Sequence, residues 1–282
     1  MPEAGIDEWS LKAVYYEIFC EEEQIGHGTG FFILLSRVDQ SDKTAFVTCR
    51  HCFTGRDEVT GNYLTGSPWK APTKIKVFLR KKGVFKLGLF APLDIELYCA
   101  REPQWFEHEA LDRGIDLAAL FIERPEWADI YYANSSVADD TTYSTDMSLD
   151  LGMDLFVLGF PFRIDVYQLA IWKRASVASE PSVARSRAKD PFFFVDTSSR
   201  PGMSGSLVIQ RAFGSYMNTT RDIVMKNEAN KIIGVYCGRY VAPATPLEAP
   251  GAKDLELGRV HDFSLVLELL KSPRRAENPH CG

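Results

Sequence analysis

The sequence contains no apolar run near the roughly 18 residues that a membrane-spanning helix requires. Its start, Met1-Pro2-Glu3-Ala4-Gly5-Ile6-Asp7-Glu8-Trp9, has neither the basic leader nor the apolar stretch of a secretory signal. No membrane association is therefore expected, and the expected compartment is cytoplasmic. A basic surplus is missing too: 32 Lys and Arg stand against 38 Asp and Glu, a net charge of −6. The two signs are interspersed, so no basic stripe points to nucleic acid. Cysteine is sparse, with six in 282 residues. Cys49-x-x-Cys52 has no second ligand pair at matching spacing, which argues against zinc, and no cofactor or metal is expected. The cysteines read as free thiols in a reducing compartment. No internal repeat is apparent, and no appended peptide-binding domain is expected.

With 45% hydrophobic residues the chain can bury a sizeable core. Short apolar or alternating runs cover Ala13–Cys20, Gly30–Leu35, Ala45–Thr48, Lys74–Arg80, Val84–Phe90 and Leu117–Ile122. A second group covers Asp154–Gly159, Tyr167–Ser179, Phe192–Asp196, Leu207–Gln210 and Lys231–Tyr236. Turn residues separate them, and this pattern reads as all-β, antiparallel barrels or sandwiches. The Ser-, Thr- and Asp-rich stretch 134–150 separates the two groups as a linker. At the end, His261–Lys271 carries apolar residues at helical spacing, followed by a loose tail over 272–282.

Three local patterns carry chemistry. Ser199-Arg200-Pro201-Gly202-Met203-Ser204-Gly205-Ser206 is a small-residue turn that feeds the apolar run Leu207-Val208-Ile209. Such a turn holds a serine hydroxyl beside backbone N–H groups, here those of Gly202 and Ser204, as stabilisation of an oxyanion requires. On its own it is also what a plain hairpin loop looks like. Phe46-Val47-Thr48-Cys49-Arg50-His51-Cys52 is a β-prone run ending in a histidine. Gly114-Ile115-Asp116-Leu117-Ala118-Ala119-Leu120 sets one acid at the head of an apolar strand, where a carboxylate is costly unless paired. The order His, Asp, Ser is one of the orders known for a nucleophile, base and acid acting together. Asp94, within Leu93-Asp94-Ile95-Glu96, competes with Asp116, but it alternates with Glu96 as on a half-exposed strand. Ser199 and Ser206 compete with Ser204, which alone has the Gly-x-Ser-Gly frame. His27, His108, His261 and His280 stand in no motif and read as ordinary residues.

On these motifs the chain resembles the trypsin-like (chymotrypsin-fold) serine peptidases, above all their bacterial, disulfide-free branch near the high-temperature-requirement type. Gly28-Thr29-Gly30-Phe31-Phe32 and Thr48-Cys49-Arg50-His51-Cys52 match the strand and turn that carry the family's histidine. Asp116-Leu117-Ala118-Ala119-Leu120 matches its acid strand, and Leu158-Gly159-Phe160-Pro161 the start of its second barrel. Gly202-Met203-Ser204-Gly205-Ser206 matches the nucleophile turn, and Ile232-Ile233-Gly234-Val235-Tyr236 the strand after it. The resemblance spans about residues 25–262.

It implies two antiparallel six-stranded β-barrels with a short C-terminal helix. The first barrel would take 1–135 with His51 and Asp116, the linker 136–150, the second barrel 151–260 with Ser204, and the helix and tail 261–282. It implies a serine endopeptidase acting on a protein or peptide substrate, with no cofactor and with a regulatory protein partner as a further expectation. Ser204 would be the nucleophile, His51 the base and Asp116 its orienting acid. Ser198 would floor the pocket for the residue before the cut, and the backbone at Tyr236, Cys237 and Gly238 would pair with extended substrate.

The chain departs from the family at several places. Secreted members bridge the cysteine after the histidine to one on the preceding strand, but Gly28-Thr29-Gly30 offers no partner for Cys52. Met203 replaces the usual Asp or Asn, which excludes trypsin-style activation by a new N-terminus. No acid stands at Ser198 or Thr197, so cleavage after Lys or Arg is not favoured. The alternative class is a catalytically silent module of this fold that binds extended peptides or scaffolds an assembly. It would need none of His51, Asp116 and Ser204.

Overall fold

The computed structural model describes residues 5–35, 43–58, 61–65, 70–83, 89–134, 144–164, 168–187, 189–198, 200–240 and 256–279. The expected strand over 84–90, the first part of the linker, Ser199, His280 and Cys281 fall largely or wholly outside these residues.

A single helical turn, α1 (Trp9–Lys12), leads into β1 (Ala13–Cys20), β2 (Glu23–Leu35) and β3 (Lys43–Thr48). These three form an antiparallel meander, with Ala13 opposite Phe31 and Phe31 opposite Val47. After β3 comes α2 (His51–Thr54), then β4 (Lys74–Lys81), β5 (Phe90–Glu96), β6 (Tyr98–Cys99), β7 (Glu102–Pro103), β8 (Phe106–Glu107), β9 (Ala118–Ile122) and β10 (Ala128–Asp129). Alternation explains β4, where Ile75, Val77 and Leu79 are buried and the residues between them are not. By contrast β3 is buried along Thr44–Thr48, in keeping with its continuous apolar run.

The second group contains β11 (Asp154–Gly159), β12 (Ile171–Val177), α3 (Pro181–Ser186), β13 (Phe192–Asp196), β14 (Ser206–Met217), β15 (Ile223–Arg239) and β16 (Leu257–Asp262). It closes as a six-stranded antiparallel barrel in the order β11-β12-β13-β16-β15-β14. Helix α4 (Phe263–Lys271) follows, capped by Asp262, whose side chain accepts from the Ser264 N–H at 2.9 Å. Last comes β17 (Arg274–Arg275).

The fold class is as expected: all-β, antiparallel, in two strand groups with a short C-terminal helix. The first group carries more strands than six. It is a nine-stranded sheet in the order β10-β4-β1-β2-β3-β9-β8-β17, with β5 on β4, and no pairing among the described residues closes it. The extra members are short edge pieces and the chain's own end. That end is not loose up to residue 279. Arg274 pairs with Glu107, the Ala276 N–H donates to the Trp105 carbonyl at 3.1 Å, and Arg56 reaches the Pro279 carbonyl at 2.7 Å.

Large buried side chains fill the space between the two groups. Tyr16, Phe31, Phe46 and Phe53 from the first group pack in one apolar body with Leu158, Phe160 and Leu207 from the second. The barrel has its own smaller core around Val157, Phe193, Val195 and Met203. The site described next lies where the two groups meet.

Candidate active site

His51 opens the one-turn helix that follows β3, and Gly55 in the left-handed region (φ 66°) ends it. Asp116 stands just before β9. The register of β3 against β9, with Thr48 opposite Ala118, brings it beside His51. One carboxylate oxygen accepts from the His51 backbone N–H at 2.9 Å, the other meets the imidazole Nδ1 at 2.6 Å. The acid's side chain is 1% exposed, that of His51 15%. Burial alone would pull the imidazole down. The Asp116 charge and hydrogen bond override it and hold His51 well above the ordinary 6.5. Burial likewise works against the Asp116 carboxylate, and the His51 contacts win and hold it below 3.8.

A second histidine supports the acid from below. The Asp116 backbone N–H donates to His261 Nε2 at 3.1 Å, and His261 Nδ1 faces the Pro191 carbonyl at 3.2 Å. With Nδ1 as donor and Nε2 as acceptor the ring is neutral, and burial holds its pKa below the ordinary value.

Ser204 sits on the turn before β14, half-buried. Together with His51 it lines a cleft of about 150 Å³ whose other walls include His27, Ile25, Cys52 and Leu64. Thr29 of β2, fully buried, ties the turn to the first sheet. Its N–H donates to the Ser204 carbonyl at 3.0 Å and its hydroxyl to the Gly202 carbonyl at 2.7 Å, while it accepts from the Phe160 N–H at 3.1 Å. Gly205 has to be glycine here. Its φ is +85°, and a Cβ would lie 2.0 Å from the Thr29 carbonyl and 2.2 Å from the Thr48 hydroxyl.

The expected acid thus meets the expected base, and the base lines the same cleft as the expected nucleophile. Asp94 does not come near: it is 59% exposed on β5, 3.9 Å from Lys76. The N–H groups of Gly202 and Ser204 have no acceptor among the described residues, whereas those of Met203, Gly205 and Ser206 are taken by backbone carbonyls. Gly238 borders the nucleophile, since a Cβ on it would lie 3.6 Å from Ser204 Oγ. Cys237 turns its side chain away from the cleft and toward the acid: its thiol donates to the Asp116 carbonyl at 3.5 Å. Its own carbonyl accepts from Arg259 at 3.2 Å, and the Tyr236 carbonyl accepts from Gly205 at 2.8 Å. Ser198 is half-buried just past β13.

Two clusters behind the site have no counterpart in the sequence reading. Arg50, between Cys49 and His51, binds Glu58 with both oxygens (2.6 and 3.0 Å) and Glu107 at 2.8 Å, and Glu107 also accepts from Trp105 at 2.9 Å. Burial and the nearby Asp116 charge push Glu58 up to about 7 in spite of Arg50. Cys49, Cys237 and Asp116 have ligand atoms within 4.8 Å of one another, a set that could hold a metal ion. Both thiols are occupied by carbonyls, that of Tyr236 for Cys49, and burial keeps the Cys49 thiol well above 9. His27 and His261 stand in no motif, and Thr29, though inside Gly28-Thr29-Gly30, has no role of its own in the sequence pattern. The one signal for Thr29 was a polar residue wedged between two glycines on an apolar strand.

No family model and no curated protein matches the sequence. Among solved structures the chain is similar to a serine endoprotease from Yersinia pestis, with a TM-score of 0.47 and 11% identity, covering 95% of this chain and 67% of that one. It is also similar to an inactive serine-to-alanine form of Rv3671c from M. tuberculosis, with a TM-score of 0.41 and 14% identity, covering 93% of this chain and 86% of that one.

Proposed function

We propose that the chain is a trypsin-like serine endopeptidase acting in the cytoplasm, cleaving peptide bonds through an acyl-enzyme intermediate. The observation that carries this reading is the two-point contact of Asp116 on His51, with His51 lining the same cleft as Ser204. A module that only binds peptides has no use for a buried acid spent on orienting a histidine.

In the proposed reaction His51 Nε2 takes the Ser204 hydroxyl proton as Oγ bonds to the scissile carbonyl carbon. The charge that develops on the carbonyl oxygen is met by the Gly202 and Ser204 N–H groups, worth on the order of 3 kcal/mol per donor. The C–N bond then breaks, and the imidazolium returns the proton to the leaving amine. A water molecule, deprotonated by the same histidine, releases the acyl group. Asp116 holds Nδ1 protonated throughout and stabilises the imidazolium.

For the cytoplasm speak the cysteines, since the five that are described are all free. Met203 is 1% exposed in the barrel core and cannot receive a new N-terminus as an acid would. Control by a partner protein is the corresponding proposal.

The test is digestion of a denatured protein or peptide library, with cut sites read by mass spectrometry. New termini from wild type and none from Ser204→Ala are expected. Peptide capture by both forms without cutting would instead establish the silent binding module.

A further inference from the structure

Asp116 belongs to the first strand group, yet no strand pairing among the described residues fixes its own peptide. It stands two residues ahead of β9, and the β3–β9 ladder begins only at Ala118. Asp116 and its neighbours Ile115 and Leu117 are all buried, so the Asp116 N–H needs an acceptor inside the protein. That acceptor is His261 Nε2 at 3.1 Å, a side chain of the barrel strand β16, 145 positions away. The Asp116 carbonyl meets the barrel as well, through the Cys237 thiol at 3.5 Å.

His261 is built into the barrel from both sides. It lies opposite Phe192 of β13 and opposite Val235 of β15. Its carbonyl comes so near Gly234 that a Cβ there would lie 1.9 Å from it. Its two neighbours fix the tautomer of the buried ring. The Pro191 carbonyl, 3.2 Å from Nδ1, can only accept, so Nδ1 carries the hydrogen. The Asp116 N–H can only donate, so Nε2 offers the lone pair. The nucleophile turn is tied to the same part of the barrel, because the Gly205 N–H donates to the Tyr236 carbonyl at 2.8 Å. Tyr236 stands between Val235, which faces His261, and Cys237, which faces the Asp116 carbonyl.

We infer that His261 is a positioning residue: by accepting the Asp116 N–H it registers the acid that orients His51 against the barrel that carries Ser204. Base and nucleophile come from different strand groups, and the Asp116 side chain reaches only the base. Through His261 the Asp116 backbone is tied to the nucleophile's group. Thr29 makes the converse link, from the first sheet to the Gly202 carbonyl of the nucleophile turn. The inference rests on the peptidase reading above.

The test compares His261→Gln with His261→Asn. A glutamine amide reaches the place of Nε2 and can accept the Asp116 N–H. An asparagine amide reaches only the place of Nδ1 and keeps the Pro191 bond alone. Expected for His261→Asn is a kcat lower by about 10- to 100-fold, since a small misplacement of a catalytic group costs this much, with KM within about twofold. His261→Gln should recover most of the loss. The far-downfield proton resonance of His51 Nδ1–H, read by NMR without substrate, should persist in wild type and His261→Gln and be shifted or broadened in His261→Asn. His261→Leu, which fills the space and has no acceptor, replaces His261→Asn in each comparison if that variant does not fold. Equal kcat in wild type and His261→Asn overturns the inference. So does an equal loss in both variants, a rise in KM alone, or a His51 resonance that the asparagine leaves unchanged. Wild type that never forms a fluorophosphonate adduct overturns the peptidase reading and this inference with it. Wild type that reacts while His261→Asn reacts equally fast overturns this inference alone.

Discussion

The hydroxyl of Thr29 donates to the carbonyl of Gly202 at 2.7 Å, although the two residues lie 173 positions apart. Through this bond a strand of the first sheet holds the turn that opens the barrel's strand β14. Thr29→Val keeps the shape and removes the hydroxyl, leaving the buried Gly202 carbonyl and Phe160 N–H unpaired. Each stranded group costs about 1–3 kcal/mol. Chemical denaturation should show a lower midpoint for Thr29→Val and near wild-type behaviour for Thr29→Ser. A valine variant as stable as wild type would remove the turn's anchor from the description.

The acid can be assigned by substitution. Asp116→Asn should slow peptide hydrolysis by on the order of 10⁴-fold, because the amide favours the wrong imidazole tautomer. Asp94→Asn, on an exposed strand, should change the rate by no more than about twofold. Steady-state kinetics on one peptide substrate decides between them, and a large loss in Asp94→Asn would reverse the assignment.

The raised pKa of His51 gives the reaction a direction in pH. The base must be neutral, so the rate should climb with pH and reach its midpoint above 6.5. Asp116→Asn removes the charge that raises it, and the midpoint should fall. A pH profile of kcat/KM tests both. A midpoint at or below 6.5 in wild type would contradict the coupling.

Glu58 gives stability a separate dependence on pH. Its carboxyl is raised from 4.5 to about 7 by burial and by Asp116, so the folded state holds a proton that the unfolded chain releases. The contribution is fully present below 4.5 and is lost as pH rises through 7, with a ceiling on the order of 3 kcal/mol. Unfolding midpoints of wild type and Glu58→Gln should diverge across this window, the glutamine variant losing less as pH rises. Parallel curves would show that Arg50 keeps Glu58 ionised throughout.

What could be read from sequence was local. A serine framed by glycines, a histidine closing a β-prone run and an acid at the head of an apolar strand each announce themselves within eight residues or so. The strands Ala13–Cys20, Asp154–Gly159 and Phe192–Asp196 have the bounds their apolar patterns imply. Where polar residues intrude, the pattern fails. Arg259 and His261 hide β16, so that His261 reads as the start of a helix that begins at Phe263. The hairpin of β14 and β15 runs beyond the expected Leu207–Gln210 and Lys231–Tyr236 because its outer half carries charged and exposed residues and faces no core. Thr29 and His261 act through contacts made far along the chain, and nothing in their own neighbourhood announces those partners.

The most direct measurement is intact-mass analysis after exposure to a fluorophosphonate, with the adduct located by peptide mapping. One adduct on Ser204, absent in Ser204→Ala and strongly slowed in His51→Ala, is the expected result. An unmodified wild-type chain, or an adduct that persists in Ser204→Ala, would contradict the assignment of Ser204 as the nucleophile of a peptidase.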